Sequence, residues 1–250
     1  MANEPFQVPP AVYEALIDWP KRLANEEPFY RRLFDRAGVR NVLDVACGTG
    51  QHAALFASWG VRVEGADASP AMIVHCGARY GESDSLHWVV RPFDQPHPAP
   101  GSFDVVVCVG NSLGLAPDFA AVERAVQEMC AAVRDGGACV IHVLNLWSLP
   151  DGPSVWQKCR RVTLDGREHI LVKGVHRAGT RGFVDLIDLE MSGGPVQPRY
   201  ESTLFWGVES ADLVGLLRQA GAHDAYCFGS YQEEPYVRTQ STDLIVVARK

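Results

Sequence analysis

A glycine turn that opens a regular alternation of strand-like and helix-like segments constrains this chain more than any other feature of its sequence. Residues 41–45 (Asn-Val-Leu-Asp-Val) form a short apolar run leading into Ala46-Cys-Gly48-Thr-Gly50. This predicts a buried strand entering a turn that needs glycine. Residues 51–59 then carry helical spacing, Gly60 stops it, and 61–67 read as a second strand. Ser69-Pro70 supplies an N-cap and a first-turn proline for the next helix. Strands follow at 86–90, 103–109 and 138–144, the last after a stop at Gly136-Gly137, with a long helix over 118–133. Strands and helices alternating at this spacing predict an α/β fold on a doubly wound, mostly parallel sheet.

On either side the pattern differs. Between 11 and 36, Val12, Leu16, Trp19, Leu23, Phe29 and Leu33 recur at intervals of mostly three and four, predicting two helices divided near Pro20 or Pro28. Past Trp147 the strand-like runs 161–164, 169–175, 182–189 and 199–205, with turn signals at Asp165-Gly166 and Gly193-Gly194, predict an antiparallel β insertion. A helix over 210–220 and strands over 222–228 and 243–249 then complete a seven-stranded sheet. The expected organisation is 1–150 for the N-terminal helices and ligand-binding core, 151–207 for the antiparallel lobe, and 208–250 for the closing elements.

With 23 Lys+Arg against 30 Asp+Glu, the formal charge is −7, and no basic run exceeds two residues. Binding along nucleic-acid phosphates rests mainly on cationic neutralisation, so no nucleic-acid partner is expected. No apolar run approaches the roughly 18 residues of a membrane span, and MANEPFQVPP lacks the basic start and apolar stretch of a signal peptide. A cytoplasmic location without membrane attachment is expected. Seven cysteines without a CxxC pair or zinc-type histidine spacing read as buried thiols, with no metal centre. Oligomeric state is not set by any of these features.

Gly48-x-Gly50-x-x-Ala53 satisfies the dinucleotide fingerprint, in which glycines let the backbone approach a pyrophosphate. Asp44, at the strand end just before the turn, would repel that pyrophosphate and suits a cationic ligand. Asp67 ends the second strand 17 residues after Gly50, where a carboxylate can accept two ribose hydroxyls. S-adenosylmethionine, with a sulfonium and an ammonium, fits both acids. An NAD-dependent oxidoreductase remains the competing reading of the fingerprint, and a non-catalytic S-adenosylmethionine-binding protein is a third.

Residues 42–53, with Gly65-Ala-Asp67-Ala-Ser69-Pro70-Ala-Met72, resemble the first two motifs of class I S-adenosylmethionine-dependent methyltransferases. Phe103-Asp-Val-Val-Val-Cys-Val-Gly110-Asn111-Ser112-Leu113 is similar to the fourth motif of the glycine/sarcosine N-methyltransferase-like group. Asp18-Trp19-Pro-Lys21-Arg22-Leu-x-x-Glu26, Asn145, and the stretch from Gly229 through Tyr231 and Tyr236 to the end also fit that group. The resemblance implies a Rossmann-like methyltransferase fold. Asp44, Ala46, Gly48 and Gly50 would line the methionyl part of the cofactor and Arg22 would reach its carboxylate. Asp67 would hold the ribose, with Ala68 beside it and Met72 near the adenine. Val109 would offer backbone beside the sulfonium, with Asn111 and Leu113 next to it. In the third motif Pro92 replaces the usual acidic residue, leaving Phe93 and Asp94 as the adenine neighbours.

The Asn-Pro-Pro-Tyr form of the fourth motif is absent, which favours a free small-molecule acceptor over a flipped base. An amine nitrogen is the expected acceptor atom, with the oxygen of a specialised metabolite as the alternative. Asn111, Asn145 and Tyr231 are the substrate-facing candidates, an amide oxygen being able to orient an amine. His142 reads as a buried histidine, with a base role as the alternative, and His52 as a hydrogen-bonder at a helix start rather than a catalyst. Trp147, Trp156, Tyr200 and Trp206 can form either a cation–π wall or the lobe's core. Lys158, Arg160 and Arg161 can either attract a substrate anion or line a solvated strand edge.

Overall fold

A computed structural model describes residues 8–191, 196 and 198–250. The chain opens with α1 (Pro10–Leu16) and α2 (Trp19–Ala37). It then alternates through β1 (Asn41–Val45), α3 (Gln51–Ser58), β2 (Arg62–Asp67), α4 (Pro70–Tyr80), β3 (Leu86–Val90), β4 (Phe103–Cys108), α5 (Phe119–Ala132) and β5 (Val133–Leu144). Four further strands, β6 (Val155–Leu164), β7 (Arg167–Ala178), β8 (Arg181–Glu190) and β9 (Pro198–Trp206), precede α6 (Ser210–Gln219), β10 (Asp224–Phe228) and β11 (Asp243–Arg249).

The main sheet has the order β10-β11-β5-β4-β1-β2-β3, with β11 antiparallel to both of its neighbours. This is the expected doubly wound sheet. All six residues of β4 are buried, as a central parallel strand covered on both faces requires. The period-two alternation divides its side chains between two layers. Val105 and Val107 pack with Phe29 of α2 and Phe56 of α3, whereas Val106 and Cys108 pack with Val122 of α5 and Leu213 of α6. From β1 the chain order runs one way to β2 and β3, and from β4 the other way to β5. The β1/β4 boundary is therefore the topological switch point, where open α/β sheets bind ligands beyond the strands' carboxyl ends.

Boundaries differ from expectation where local chemistry is permissive. The first two helices divide at Ile17-Asp18, because Asp18 caps α2 by accepting the Lys21 amide at 3.3 Å. Pro20 occupies the first turn, and Pro28 sits inside α2 without ending it. β5 begins at Val133 rather than after Gly136-Gly137, with the glycines absorbed in a register shift between the Phe103 and Val105 pairings. A Cβ at Gly137 would stand 2.7 Å from the Asp104 carbonyl oxygen.

β6, β7, β8 and β9 form a separate antiparallel sheet in sequence order. Each strand is longer than its expected run, since ladder pairing continues over flanking residues outside it. Asp165 and Gly166 both have positive φ (49° and 77°) and form the tight β6–β7 turn. The Gly193-Gly194 turn lies outside the described residues. Five cysteines are buried, but Cys159 on β6 is exposed and Cys227 is only partly covered, a correction to the expectation for all seven. No helix among the described residues is long and apolar enough to cross a membrane.

Candidate functional site

The turn after β1 reverses the chain with three left-handed residues, Ala46 (φ 57°), Gly48 (φ 56°) and Gly50 (φ 78°). It is tied to the end of β2. The Cys47 amide donates to the Ala66 carbonyl at 2.9 Å, and the Gly48 amide donates to Asp67 Oδ2 at 2.9 Å. Asp67 Oδ1 accepts the Ser69 amide, also at 2.9 Å. Each Asp67 oxygen thus holds one amide and keeps acceptor capacity. Burial pushes its carboxyl above the usual range, against the pull of the two amides.

Asp44 is fully buried beneath this turn, and neither of its oxygens accepts a hydrogen bond of normal length from the described residues. Burial, and secondarily the Asp67 charge, push its carboxyl up to about 8, with the Ala53 amide and Arg22 opposing. An unpartnered buried carboxyl is costly, and a cationic ligand overhead would relieve that cost.

Gly50 caps α3 and does not line a cavity. A Cβ there would stand 2.7 Å from the Trp88 ring and 2.9 Å from Cys76 Sγ. Gly50→Ala is therefore expected to destabilise the protein by about 1–3 kcal/mol through overpacking and strain. Thermal melts check this, and an unchanged melting temperature would contradict it.

A cavity of about 560 Å³ opens at the switch point, between the carboxyl edge of the main sheet, α1 and the antiparallel lobe. Its walls include Arg22, Ala46, Gly48, Asp67, Ala68, Met72, Phe93, Asp94 and Asn111. These nine expected residues, drawn from α2, α4 and the ends of four strands, come together in one place. Tyr13 lies over the glycine turn, where a Cβ at Gly48 would be 3.6 Å from its ring. Glu14 fastens α1 to the core by accepting from Gln51 Nε2 at 3.0 Å and Arg79 at 2.8 Å. Asp94 pairs with Arg124 at 3.1 Å.

Arg22 is oriented by a buried network. Its Nε donates to Glu26 Oε1 at 2.7 Å, and Glu26 Oε2 lies 2.6 Å from His52 Nε2. Burial raises the Glu26 carboxyl, but His52 and Arg22 outweigh it and hold Glu26 down at about 2. The Arg22 guanidinium comes beside Gly110, where a Cβ would stand 3.4 Å from it. One Arg22 terminal nitrogen has no hydrogen-bond partner among the described residues.

Five other expected residues do not line the cavity: Asp44, Val109, Leu113, Asn145 and Tyr231. The Val109 carbonyl accepts the Ser112 hydroxyl at 2.9 Å, and Leu113 is fully buried in the core beneath the site. Asn145 is a structural bracket. Its Nδ2 donates to the Arg238 and Ser241 carbonyls, and its Oδ1 accepts from the Trp147 amide and the Tyr236 hydroxyl. Tyr231 is buried against Phe29 and Tyr30, with its hydroxyl 3.2 Å from His142 Nδ1. Asn111 does reach the cavity, but its Oδ1, expected to orient an amine, accepts the Leu144 amide at 3.0 Å.

The lobe's marked residues also have other partners. Lys158 donates to the Leu16 carbonyl, Arg160 lies 3.6 Å from Asp18, and Arg161 pairs with Glu168. Trp147, Trp156, Tyr200 and Trp206 stand outside the cavity wall.

The sequence expectations left Asp243 and Lys173 unmarked, and they left His142 between a buried histidine and a base. His142 lines the cavity. The Gly110 amide donates to its Nδ1 at 3.2 Å, which leaves Nε2–H to donate to Asp243 Oδ1 at 3.0 Å. Burial would raise the Asp243 carboxyl, but His142 outweighs this and lowers it. Asp243 reaches the ligand edge because β11 runs antiparallel, so its first residue lies at the carboxyl ends of the other strands. Nothing local in the sequence announces that direction. Lys173 did leave a signal, as the one cation between Leu171 and Val175 in an alternating strand.

A methyltransferase-domain family model matches residues 42–137. The chain is 31% identical over 147 residues to glycine N-methyltransferase of Oryctolagus cuniculus, covering 50% of each protein. It is 30% identical over 170 residues to glycine/sarcosine N-methyltransferase of Parasynechococcus marenigrum, covering 63% of this chain and 59% of that protein. The chain spans about half the length of the first curated relatives it matches. Among solved structures, it resembles the amino pentose methyltransferase CalS10 of Micromonospora echinaspora, with a TM-score of 0.73, 23% identity and full coverage of both chains. The sugar N-methyltransferase KedS8 of Streptoalloteichus gives a TM-score of 0.76 at 24% identity, covering 98% of this chain and 94% of that one. At these identities the structural likenesses establish the fold.

Proposed function

We propose that this chain, a class I S-adenosylmethionine-dependent methyltransferase in domain and fold, transfers a methyl group to an amine nitrogen of a small molecule. The observation that carries the reading is one cavity at the switch point with Asp67 at the β2 end and Asp243 at the β11 end. The residues present fit S-adenosylmethionine. Asp67 keeps acceptor capacity for ribose hydroxyls, and Met72 and Phe93 offer apolar surface for an adenine. Arg22 suits the carboxylate, while the unpartnered Asp44 favours positive charge above the turn.

S-adenosylmethionine, when bound, supplies an electrophilic methyl on a sulfonium, so no covalent enzyme intermediate is needed. The chain's contribution is to align the acceptor and exclude water. α1 and the lobe cover the cavity opposite the sheet edge. Asp243, held ionised by His142, can accept a hydrogen bond from an amine and aim its lone pair. An alcohol acceptor would need a base to remove its proton during transfer. Both His142 nitrogens have protein partners, and an acid held low, as Asp243 is, makes a weak base. An amine that binds in its neutral form needs no such base at the transfer step, which favours nitrogen over oxygen.

Calorimetric titration with S-adenosylhomocysteine and methyl-transfer assays over matched amines and alcohols test the reading. Tight S-adenosylhomocysteine binding with transfer to amines is expected. NAD binding in its place, or cofactor binding without transfer, would overturn it. Asp67→Ala is expected to weaken S-adenosylhomocysteine binding by about 1–3 kcal/mol, and an unchanged affinity would remove Asp67 from the ribose site.

A further inference from the structure

Lys173 stands on the inner face of the lobe, two residues from buried Leu171 on one side and buried Val175 on the other. Across the ladder it is in register with Leu186, and Val175 is in register with Val184. Val175, Val184 and Leu186 line the same cavity, as does Lys173 itself. Its ammonium therefore points into the site from an apolar surround. It makes no hydrogen bond or ion pair among the described residues.

The charges acting on it are of its own sign. Burial, then the Lys158 and Arg22 charges, pull the Lys173 ammonium down to about 8. Both neighbours have partners, Lys158 in the Leu16 carbonyl and Arg22 in Glu26. Among the described residues, Lys173 is left as a cation without a counter-ion. A charge held this way in an apolar wall is costly unless the ligand completes the pair.

We propose that Lys173 is the anion anchor of the acceptor site, and that the acceptor is an amine whose apolar body ends in a carboxylate. The proposal rests on the amine methyltransferase reading and deepens it. The methyl-accepting nitrogen belongs at the sheet edge near Gly110 and Asp243, whereas Lys173 is on the opposing lobe. An acceptor held at both ends spans the cavity between these walls, and Leu16, Val175, Val184 and Leu186 line it with apolar surface, which suits an apolar spacer longer than that of glycine. A single free ammonium matches one monoanionic carboxylate. A dianionic phosphate would bring a second charge that no described lobe residue lining the cavity answers.

The test compares methyl transfer to amines of one alkyl body ending in a carboxylate, a carboxamide or a phosphate, with glycine as the short acceptor. The carboxylate is expected to exceed its carboxamide at least tenfold in kcat/KM, and to exceed glycine. In Lys173→Met that ratio should collapse to about one through KM, and Lys173→Arg should restore most of it. Equal losses on carboxylate and carboxamide in Lys173→Met, a preference for the phosphate, or glycine as the best acceptor would each overturn the proposal.

A binding arm separates this failure from failure of the broader reading. With S-adenosylhomocysteine saturating, hexanoate should bind wild type at least fivefold more tightly than hexanamide, and Lys173→Met should lose that difference. Absence of methyl transfer to every amine, with the hexanoate preference intact, refutes the amine reading and leaves the anchor standing. Absence of the hexanoate preference refutes the anchor.

Discussion

Asp44→Asn is expected to raise the melting temperature of the unliganded protein at pH 8 while weakening its affinity for S-adenosylhomocysteine. Burial and Asp67 push the Asp44 carboxyl from 3.8 up to about 8 in the folded chain. The folded state therefore binds this proton more tightly than the unfolded state does. Stability contributed by the protonated form is full below about pH 4, declines as pH climbs, and is exhausted above about pH 8. Asparagine cannot ionise, so its advantage over aspartate grows across that same window. Recovering the cost of an unsatisfied buried group, about 1–3 kcal/mol, would shift the melting temperature of a chain this size by roughly 2–10 °C.

The effect on binding has the opposite sign. A cationic ligand above the turn draws Asp44 into its ionised form, so wild-type binding should release a proton at pH 7 and tighten toward pH 8. Calorimetry in two buffers of different ionisation enthalpy reads that proton directly. Asp44→Asn should abolish the release and bind at least fivefold more weakly. A melting temperature difference independent of pH, or proton release retained in the variant, would remove Asp44 from the cofactor's electrostatics.

Asn145→Ala carries the second large effect, on stability rather than chemistry. The side chain is 2% exposed and satisfies four partners that join β5 to the segment before β11. Its removal leaves two donors and two carbonyls with reduced pairing in a part-buried place. A loss of about 2–4 kcal/mol is expected, or roughly 4–15 °C in melting temperature. Below the transition, S-adenosylhomocysteine should still bind within threefold of wild type. A variant that melts normally but loses methyl transfer would instead restore the substrate-facing role that the sequence suggested for Asn145.

The contrast between Asn111 and Asn145 shows where sequence reading stops. Both follow strands that end at the ligand edge, and both have an amide fit to orient a substrate. Their strand ends were legible because a buried parallel strand is a continuous apolar run. The direction of each amide was not, because it depends on a loop 93 residues further along the chain in one case and on the neighbouring strand in the other. Tyr231 was misread for the same reason. Phe29 and Tyr30, some 200 residues earlier, close it off from the cavity.

The sequence by itself determined the doubly wound sheet, the glycine turn and the Asp67 carboxylate beside it. These depend on local pattern: the period of apolar residues, the φ values only glycine adopts readily, and the offset between two successive strand ends. Tertiary structure alone decided the proposed acceptor side. Asp243 reaches the cavity because β11 pairs antiparallel with β5, and Lys173 because a separate sheet folds its inner face over the opening. A side chain's reach is set by what the rest of the chain packs around it, and that packing is a property of contacts far apart in sequence.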